Sequence, residues 1–428
     1  VSQKNVGYFG VLKNRHFLAL WLGQVVSNIG DYFYFLAVPI TVSRLTGSTM
    51  AVASSVMSIF VPQLLFGLVA GVFVDRWNRK RTMIVADLLR GLIILLCLTV
   101  QSADQVWIFY VVGFLVSTVS RFFFPARSAA IPLIVEKEEW MVANGLSQIT
   151  QTVALITGSA LAGFAIGLWG EQVAFVADSL SYFISAIFIL TITVPHRSLS
   201  TAGERSGRGQ LGTVWQELIA GLSFIKGSRV LAGVLMSLGV VQLGLGAMQV
   251  IWVPFFQKFF EIGPEGLGIV DSTQGFGMAV GAVAVGFLAA RVKRATIIGA
   301  GVAAIGFLIT LIGLSPSFIL ILGLSFALGL CLSPVQAALS TVIQLAVPDD
   351  KMGRVNSAIG TTGSLSMLIS MAVAGAVGDM VNLRLIYVVS GTIIALGGGV
   401  SFFLIPEAEP DRKKEASSAI TVPVPVED

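Results

Sequence analysis

Long apolar stretches broken by short polar or charged turns recur along the whole chain, with no alternating period-two pattern of the kind that marks strands. With about 20 apolar residues needed to cross a bilayer, the pattern predicts helices over 16–43, 50–74, 82–101, 106–124, 142–168, 172–194, 230–257, 265–290, 295–314, 317–337, 355–380 and 384–405. The expected fold class is an all-α polytopic membrane protein with twelve transmembrane helices in two pseudo-symmetric six-helix bundles. The widest break is the polar linker 195–229, so the predicted organisation is a bundle over 1–194, the linker, a bundle over 230–405 and a polar tail over 406–428. Within the linker, Leu211, Val214, Trp215, Leu218, Ile219, Leu222 and Ile225 recur at helical spacing, which suits a helix lying on the inner membrane surface. The tail has no apolar period and is expected to be disordered.

The composition agrees with this pattern. A chain of 428 residues that is 55% hydrophobic and only 12% charged lacks the polar surface to cover a soluble core. Basic residues fix the orientation. With both termini in the cytoplasm, the Arg76 to Arg81 cluster, Arg121, Arg127, Arg291, Lys293, Arg294, Lys351 and Arg354 fall inside or at the inner boundary, Arg90 falls within a span, and only Arg44, Lys258 and Arg384 remain outside. The pI near 9.1 therefore reports cytoplasmic loops facing anionic lipid and gives no support to nucleic-acid binding. The basic start followed by a long apolar run reads as the first span, since it is too long for a signal peptide and has no small-residue cleavage site. Cys97 and Cys331 fall in different spans as small apolar core residues.

The halves also resemble each other. Sliding the chain by 215 positions places Pro254 on Pro39, Gly286 on Gly71, Arg291 on Arg76, Arg294 on Arg79 and Gly306 on Gly91. A shift of 212 later aligns Asn356, Thr362, Ala374 and Gly375 with Asn144, Thr150, Ala162 and Gly163. The halves therefore read as descendants of one unit.

Within the spans, Asp31 stands out, because Gln24-Val25-Val26-Ser27-Asn28-Ile29-Gly30-Asp31 places an ionisable group deep in an apolar helix. A carboxylate there costs about 2.5–3.5 kcal/mol on insertion scales, so it is expected to face a water-filled cavity or a partner. A packed Asp bonded to a neighbouring backbone or amide group is the competing reading. Asp87 and Arg90 stand three apart on one face of the third span and are expected to pair as a structural or gating ion pair near its inner end. Asp178 and Asp271 lie toward the outer ends of their spans, where each is a candidate second titrating site or a boundary residue reaching the headgroups. Gln148, Gln151, Gln242, Gln249 and Gln274 place polar edges on membrane helices, either lining the cavity or bonding neighbouring helices. His16 and His196 stand apart at predicted boundaries without a Cys or acidic cluster, and no phosphate-binding Gly-rich loop is present, so neither metal catalysis nor ATP hydrolysis is expected.

The string Gly71-Val72-Phe73-Val74-Asp75-Arg76-Trp77-Asn78-Arg79-Lys80-Arg81 wedges a charged turn between apolar runs. It resembles the loop between spans two and three of the major facilitator superfamily, with Asn78 where that family usually has glycine; tolerance of the left-handed conformation is the reason Asn fits there. Gly67 and Gly71 are expected to clear one helix face for a neighbour. Ser27, Gly30, Asp31, Ala37 and Pro39, with Phe124-Pro125-Ala126, Ile131-Pro132 and Ala143-Asn144, resemble the macrolide-efflux and siderophore-exporter branch of that superfamily's drug:proton antiporters. Gly158, Gly163 and Gly167 resemble its glycine-rich antiporter motif without the usual proline. The arginine many drug antiporters carry in mid-span four has no counterpart, since Gly113 stands there and Arg121 is nearer the inner end.

The resemblance implies a secondary active exporter of lipophilic or amphipathic small molecules, running drug:H⁺ antiport by alternating access, with Na⁺ as the alternative coupling ion. The expected place is a bacterial inner membrane, multi-pass, with both termini cytoplasmic, as a monomer among membrane lipids, with no cofactor and no enzymatic activity. The proton-coupling and substrate cavity is expected to hold Asp31, Asn28, Gln24, Asp178, Gln148, Gln151, Gln242 and Gln249. Gating is expected from Gly71, Asp75, Arg76, Arg79, Lys80, Asp87 and Arg90. Two other readings remain: export or flipping of a siderophore or lysophospholipid on the same fold, and a receptor or sensor that does not transport.

Overall fold

The computed structural model describes residues 8–67, 70–74, 76–194 and 219–404. These form twelve helices long and apolar enough to cross a membrane. They are α1 (Arg15–Thr46), α2 (Thr49–Phe66), α3 (Arg79–Ile94), α4 (Trp107–Ile134), α5 (Trp140–Trp169), α6 (Glu171–Thr191), α7 (Arg229–Phe260), α8 (Pro264–Arg291), α9 (Arg294–Leu314), α10 (Phe318–Ala346), α11 (Met352–Gly378) and α12 (Leu383–Leu404). In lipid each backbone N–H and C=O must find a partner inside its own segment, so apolar runs of this length become helices. The tail after 405, the linker over 195–218 and Asp75 lie outside the described residues. Of the predicted surface helix, residues 219–226 are helical.

Helix ends follow local chemistry. Asn14 caps α1 by accepting from the N–H groups of His16 and Phe17 at 3.0 and 3.3 Å. Gly47 stops that helix in the left-handed conformation, at φ 63°. Asn78 is where the structure departs from the expectation of a left-handed residue: its φ is −70° and ψ 109°, and its side chain accepts from Arg81 N–H at 3.0 Å. Asn therefore replaces the glycine as the N-cap of α3, a role glycine fills less well. The fourth span also differs, running to Ile134 rather than 124. Pro125 and Pro132 made the sequence look like a connection, yet helix packing absorbs both, as membrane helices allow.

α1 packs on α6 and α5, and α3 bridges α4 and α6; in the second half α7 packs on α11 and α12, with α9, α10 and α8 behind. The two sets meet through α5 with α8 and α2 with α11. Both contacts are tight at one end only. A Cβ on Gly268 would lie 3.1 Å from the Gly163 Cα, and Gly163 itself faces the Pro264 carbonyl. Ser272 donates to the Ile156 carbonyl at 2.7 Å, and Ser43 to Gln257 Oε1 at 2.8 Å. Small residues let backbones approach this closely, where any side chain would force them apart.

The opposite end of the same helices is open. A Cβ built on Gly71, Gly286, Gly353 or Gly360 would meet no atom within 4 Å among the described residues. Gly71 therefore clears space that no neighbour fills in this conformation, in contrast to the expected close approach. The two sets are joined at the end where α1 finishes and α2 begins.

Asp379, just past α11, ties the joined end. Its carboxylate accepts from Thr49 N–H at 2.6 Å and Ser48 Oγ at 2.9 Å, so it caps the N-terminus of α2 from the other half of the chain. Partial burial pushes this carboxyl up, but the bonds from Thr49 and Ser48 outweigh it and hold the group below the usual carboxylate range. A lowered folded value means the cap contributes fully above the ordinary carboxylate range and is lost as pH falls through the lowered value. Asp379→Ala should speed amide exchange in the first turn of α2 about two- to five-fold relative to intrinsic rates, the worth of an exposed charge at a helix N-terminus. Hydrogen exchange in nanodiscs reads this, and wild-type protection should fall to the variant's level on acidification. Unchanged protection in the variant would refute the cap.

Candidate functional site

Gly30 sets the site's geometry. A Cβ there would lie 2.9 Å from Asp178 Oδ1 and would overlap Ser181, so the bare backbone lets α6 close onto α1 beside Asp31. Tyr182, one turn along α6 from Asp178, donates its O–H to Asp31 Oδ1 at 2.6 Å. The expected neighbour of Asp31 is thus a phenol, which bonds the carboxylate while leaving Asp31 in the wall of a cavity.

Behind that pair lies the Arg90 guanidinium, only 3% exposed. Its Cζ sits 4.2 Å from the Tyr182 ring centroid and 4.4 Å from that of Phe123, and it forms an ion pair with Asp87. Nη1 also donates to Ser120 Oγ at 3.5 Å. Stacking between two aromatic faces suits a planar, weakly hydrated cation, and a buried charge needs such partners. Asp87 and Arg90 therefore pair as the spacing predicts, but in the packed core where α3, α4 and α6 meet rather than at an inner boundary. Asp178 is buried as well, at 1% exposed. Its Oδ1 accepts from Ser181 Oγ at 3.4 Å, and Oδ2 is without a hydrogen bond. A residue so enclosed cannot reach headgroups, which removes the boundary reading of Asp178.

The cavity encloses about 630 Å³ between the two halves, within the range of sites for drug-sized ligands. Asn28, Asp31, Gln151 and Asp178 line it from the first half, and Gln249, Asp271 and Gln274 from the second. Asp271 accordingly faces the cavity, not the outer boundary. Two predicted cavity residues have their partners elsewhere. Gln24 is buried beside the cavity, accepting from Arg127 Nη1 at 3.0 Å. Gln242 Nε2 lies 3.8 Å from Met367 Sδ, while Gln148 is exposed on α5 one turn before the cavity-lining Gln151.

Among the predicted gating residues, Lys80 donates to the Leu190 carbonyl at 2.8 Å, satisfying an orphan acceptor in the last turn of α6. Arg79 opens α3, and Arg76 lies exposed in the turn before it. Sequence reasoning missed Tyr182, Phe123 and Tyr32, which line or support the cluster. The i, i+4 spacing of Asp178 and Tyr182 was the available signal. Arg121 and Arg127, expected at the inner boundary, both stand in the second half of α4, and Arg121 is in the cavity wall, which the sequence reading did not foresee.

The Asp87–Arg90 pair can be weighed by a double-mutant cycle. Arg90→Met alone leaves Asp87 buried without its cation and should destabilise by about 3–5 kcal/mol. Adding Asp87→Asn should restore part of that loss, giving a coupling of at least about 1 kcal/mol. Thermal and denaturant unfolding in detergent measure both; additive effects would mean the two charges do not support each other.

A family model described as Major Facilitator Superfamily matches residues 20–263 and 234–426. Macrolide efflux protein A of Streptococcus pyogenes is 25% identical over 382 residues, covering 88% of this chain and 93% of the relative. Multidrug efflux pump Tap of Mycobacterium bovis is 25% identical over 422 residues, covering 92% and 96%. Among solved structures, the nucleoside transporter NupG superposes with a TM-score of 0.73 at 12% identity, covering 92% of this chain and 100% of that one. A bacterial homologue of the iron transporter ferroportin in an inward-facing state gives 0.70 at 13%, covering 91% and 98%. Twelve membrane-spanning helices around a central cavity, with a family match across nearly the whole chain, place this protein in the major facilitator superfamily of transporters.

Proposed function

We propose that the protein is a bacterial inner-membrane exporter of lipophilic or amphipathic molecules, driven by proton antiport. The observation that carries this reading is Asp31, a carboxylate in the cavity wall joined through Tyr182 to a buried arginine. The efflux relatives support the direction and the cargo class. Residues 1–194 and 230–405 act as two bodies rocking about the central site, joined by the linker 195–229. With both termini cytoplasmic, as the basic residues favour, the open end faces the cytoplasm and the joined end outward. The protein works as a monomer.

The chemistry follows from charge balance. With Asp31 ionised, the cavity wall holds a negative site that attracts cargo entering from the cytoplasm. Once the bodies rock outward, protonation of Asp31 removes that charge, breaks its claim on the Tyr182 hydrogen bond and releases the cargo. Return to the inward state frees the proton into the cytoplasm. The membrane potential contributes about 2.3 kcal/mol per charge moved per 100 mV. The Asp87–Arg90 pair holds the α3 side of this cluster in place, and the loop carrying Asp75, Arg76, Arg79 and Lys80 guards the open end.

Asp31→Asn keeps the size of the side chain and a hydrogen-bond acceptor while removing the titratable charge. In proteoliposomes with an imposed pH gradient, the variant should lose uphill export of a substrate drawn from a lipophilic panel, while downhill counterflow persists. Wild-type affinity should rise with pH, and that dependence should flatten in the variant. Uphill export by the variant with unchanged pH dependence would exclude Asp31 as the coupling group. Export driven by a Na⁺ gradient and indifferent to pH would replace the proton with sodium.

A further inference from the structure

The cavity matches its acids against one cation and leaves another unmatched. Arg90 has Asp87, Asp31 through Tyr182, and two aromatic rings. Arg121, in the α4 wall, has no carboxylate partner among the described residues, and its Nε is buried without a hydrogen bond. Arg127, six residues on, lines a recess that shares Asn28 with the cavity. Its own Nε is likewise buried and unbonded, and the Gln24 amide orients the guanidinium without neutralising it.

Phe124 stands between them, its ring centroid 5.8 Å from Arg121 Cζ and 5.6 Å from Arg127 Cζ. Spacing of three residues puts cation, ring and cation along one helix face. A guanidinium offers a planar fork of donors that fits a carboxylate, sulfonate or phosphate with two parallel hydrogen bonds. While the cavity is open the charge is hydrated; when the bodies close, it needs an anion in place of that water.

Resting on the export reading and narrowing its cargo, we propose that the transported molecule is an amphiphile with an anionic group that seats on the Arg121–Phe124–Arg127 strip. Its apolar body lies along Phe35 and Trp252 on the facing cavity walls. Asp31 and Asp271 lie apart from this strip, on α1 and α8, and leave room for a cationic group on the same molecule. The anion comes either from a soluble amphiphile or from the headgroup of a lipid entering through the open end, since both present the same oxygens.

The test compares 11-(dansylamino)undecanoate with its uncharged methyl ester, by fluorescence titration of the purified protein in phosphatidylcholine nanodiscs, corrected for empty discs. The readout is the ratio of the two affinities within each variant, which cancels any general loss of the cavity. The wild type should bind the acid at least about tenfold more tightly than the ester. Arg121→Gln should bring the ratio close to one, and Arg121→Lys should keep an intermediate ratio. A ratio near one in the wild type, or an undiminished ratio in Arg121→Gln, overturns the proposal. Repeating the titration in phosphatidylglycerol nanodiscs names the source: loss of the acid preference assigns the strip to a lipid headgroup, and persistence assigns it to soluble cargo, either result keeping the anion subsite. Counterflow of both probes in proteoliposomes separates the two readings. Acid preference in binding without exchange sinks export and keeps the subsite, whereas exchange of both probes at equal affinity keeps export and sinks the subsite.

Discussion

A guanidinium buried at the junction of three membrane helices is the constraint from which the rest of the site follows. Arg90 cannot shed its proton, and lipid cannot hydrate it, so the surrounding chain must supply charge, rings and donors. Asp87 supplies the charge from the same helix, Phe123 and Tyr182 supply the rings, and Tyr182 extends the cluster to Asp31 in the cavity wall. That chain of contacts requires α6 to lie hard against α1, which Gly30 permits. A change of protonation at Asp31 therefore alters the balance around a charge that has nowhere else to turn. Under the proposed antiport, a proton taken up in the cavity would act on helix packing through these contacts.

The second constraint is how helices approach. Paired glycines and short side chains let α5 meet α8, and α11 meet α2, at one end only. The same helices carry further glycines at the other end that touch nothing in this conformation. Under the proposed rocking of the two halves, the positions that are empty here are where the helices would close in the alternate state. Asp379 caps the facing helix at the joined end, a contact the proposed rocking would have to break.

Much of this was legible in the residues. Hydropathy marks twelve spans because lipid enforces a minimum length, and the Asp87–Arg90 spacing marks an ion pair because a helix brings i and i+3 together. Asp31 announces itself by its cost. What the sequence concealed depends on which face of an apolar helix turns inward. Gln242 and Gln249 stand two turns apart on one face of α7, yet Gln249 lines the cavity while Gln242 meets Met367, and nothing in the apolar residues around them shows how deep the cavity reaches. Tyr182 reads as one more aromatic among many until α6 is docked on α1. Arg121 reads as the last residue before a connection because Pro125 and Pro132 suggest that the helix has ended, when α4 runs on to Ile134 and turns Arg121 into the cavity wall.

The central claim is that protonation in the cavity and the exchange of open ends are one event. Double electron–electron resonance in nanodiscs tests it directly, with one spin-label pair at Arg81→Cys and Gly353→Cys across the open end and another at Asp104→Cys and Met380→Cys across the joined end, on a background with Cys97 and Cys331 replaced by serine. As pH is lowered through the titration of the cavity, the first distance should shorten and the second lengthen with the same midpoint, and Asp31→Asn should abolish that shared midpoint. Distances that shift with different midpoints, or that respond equally in Asp31→Asn, would contradict the account.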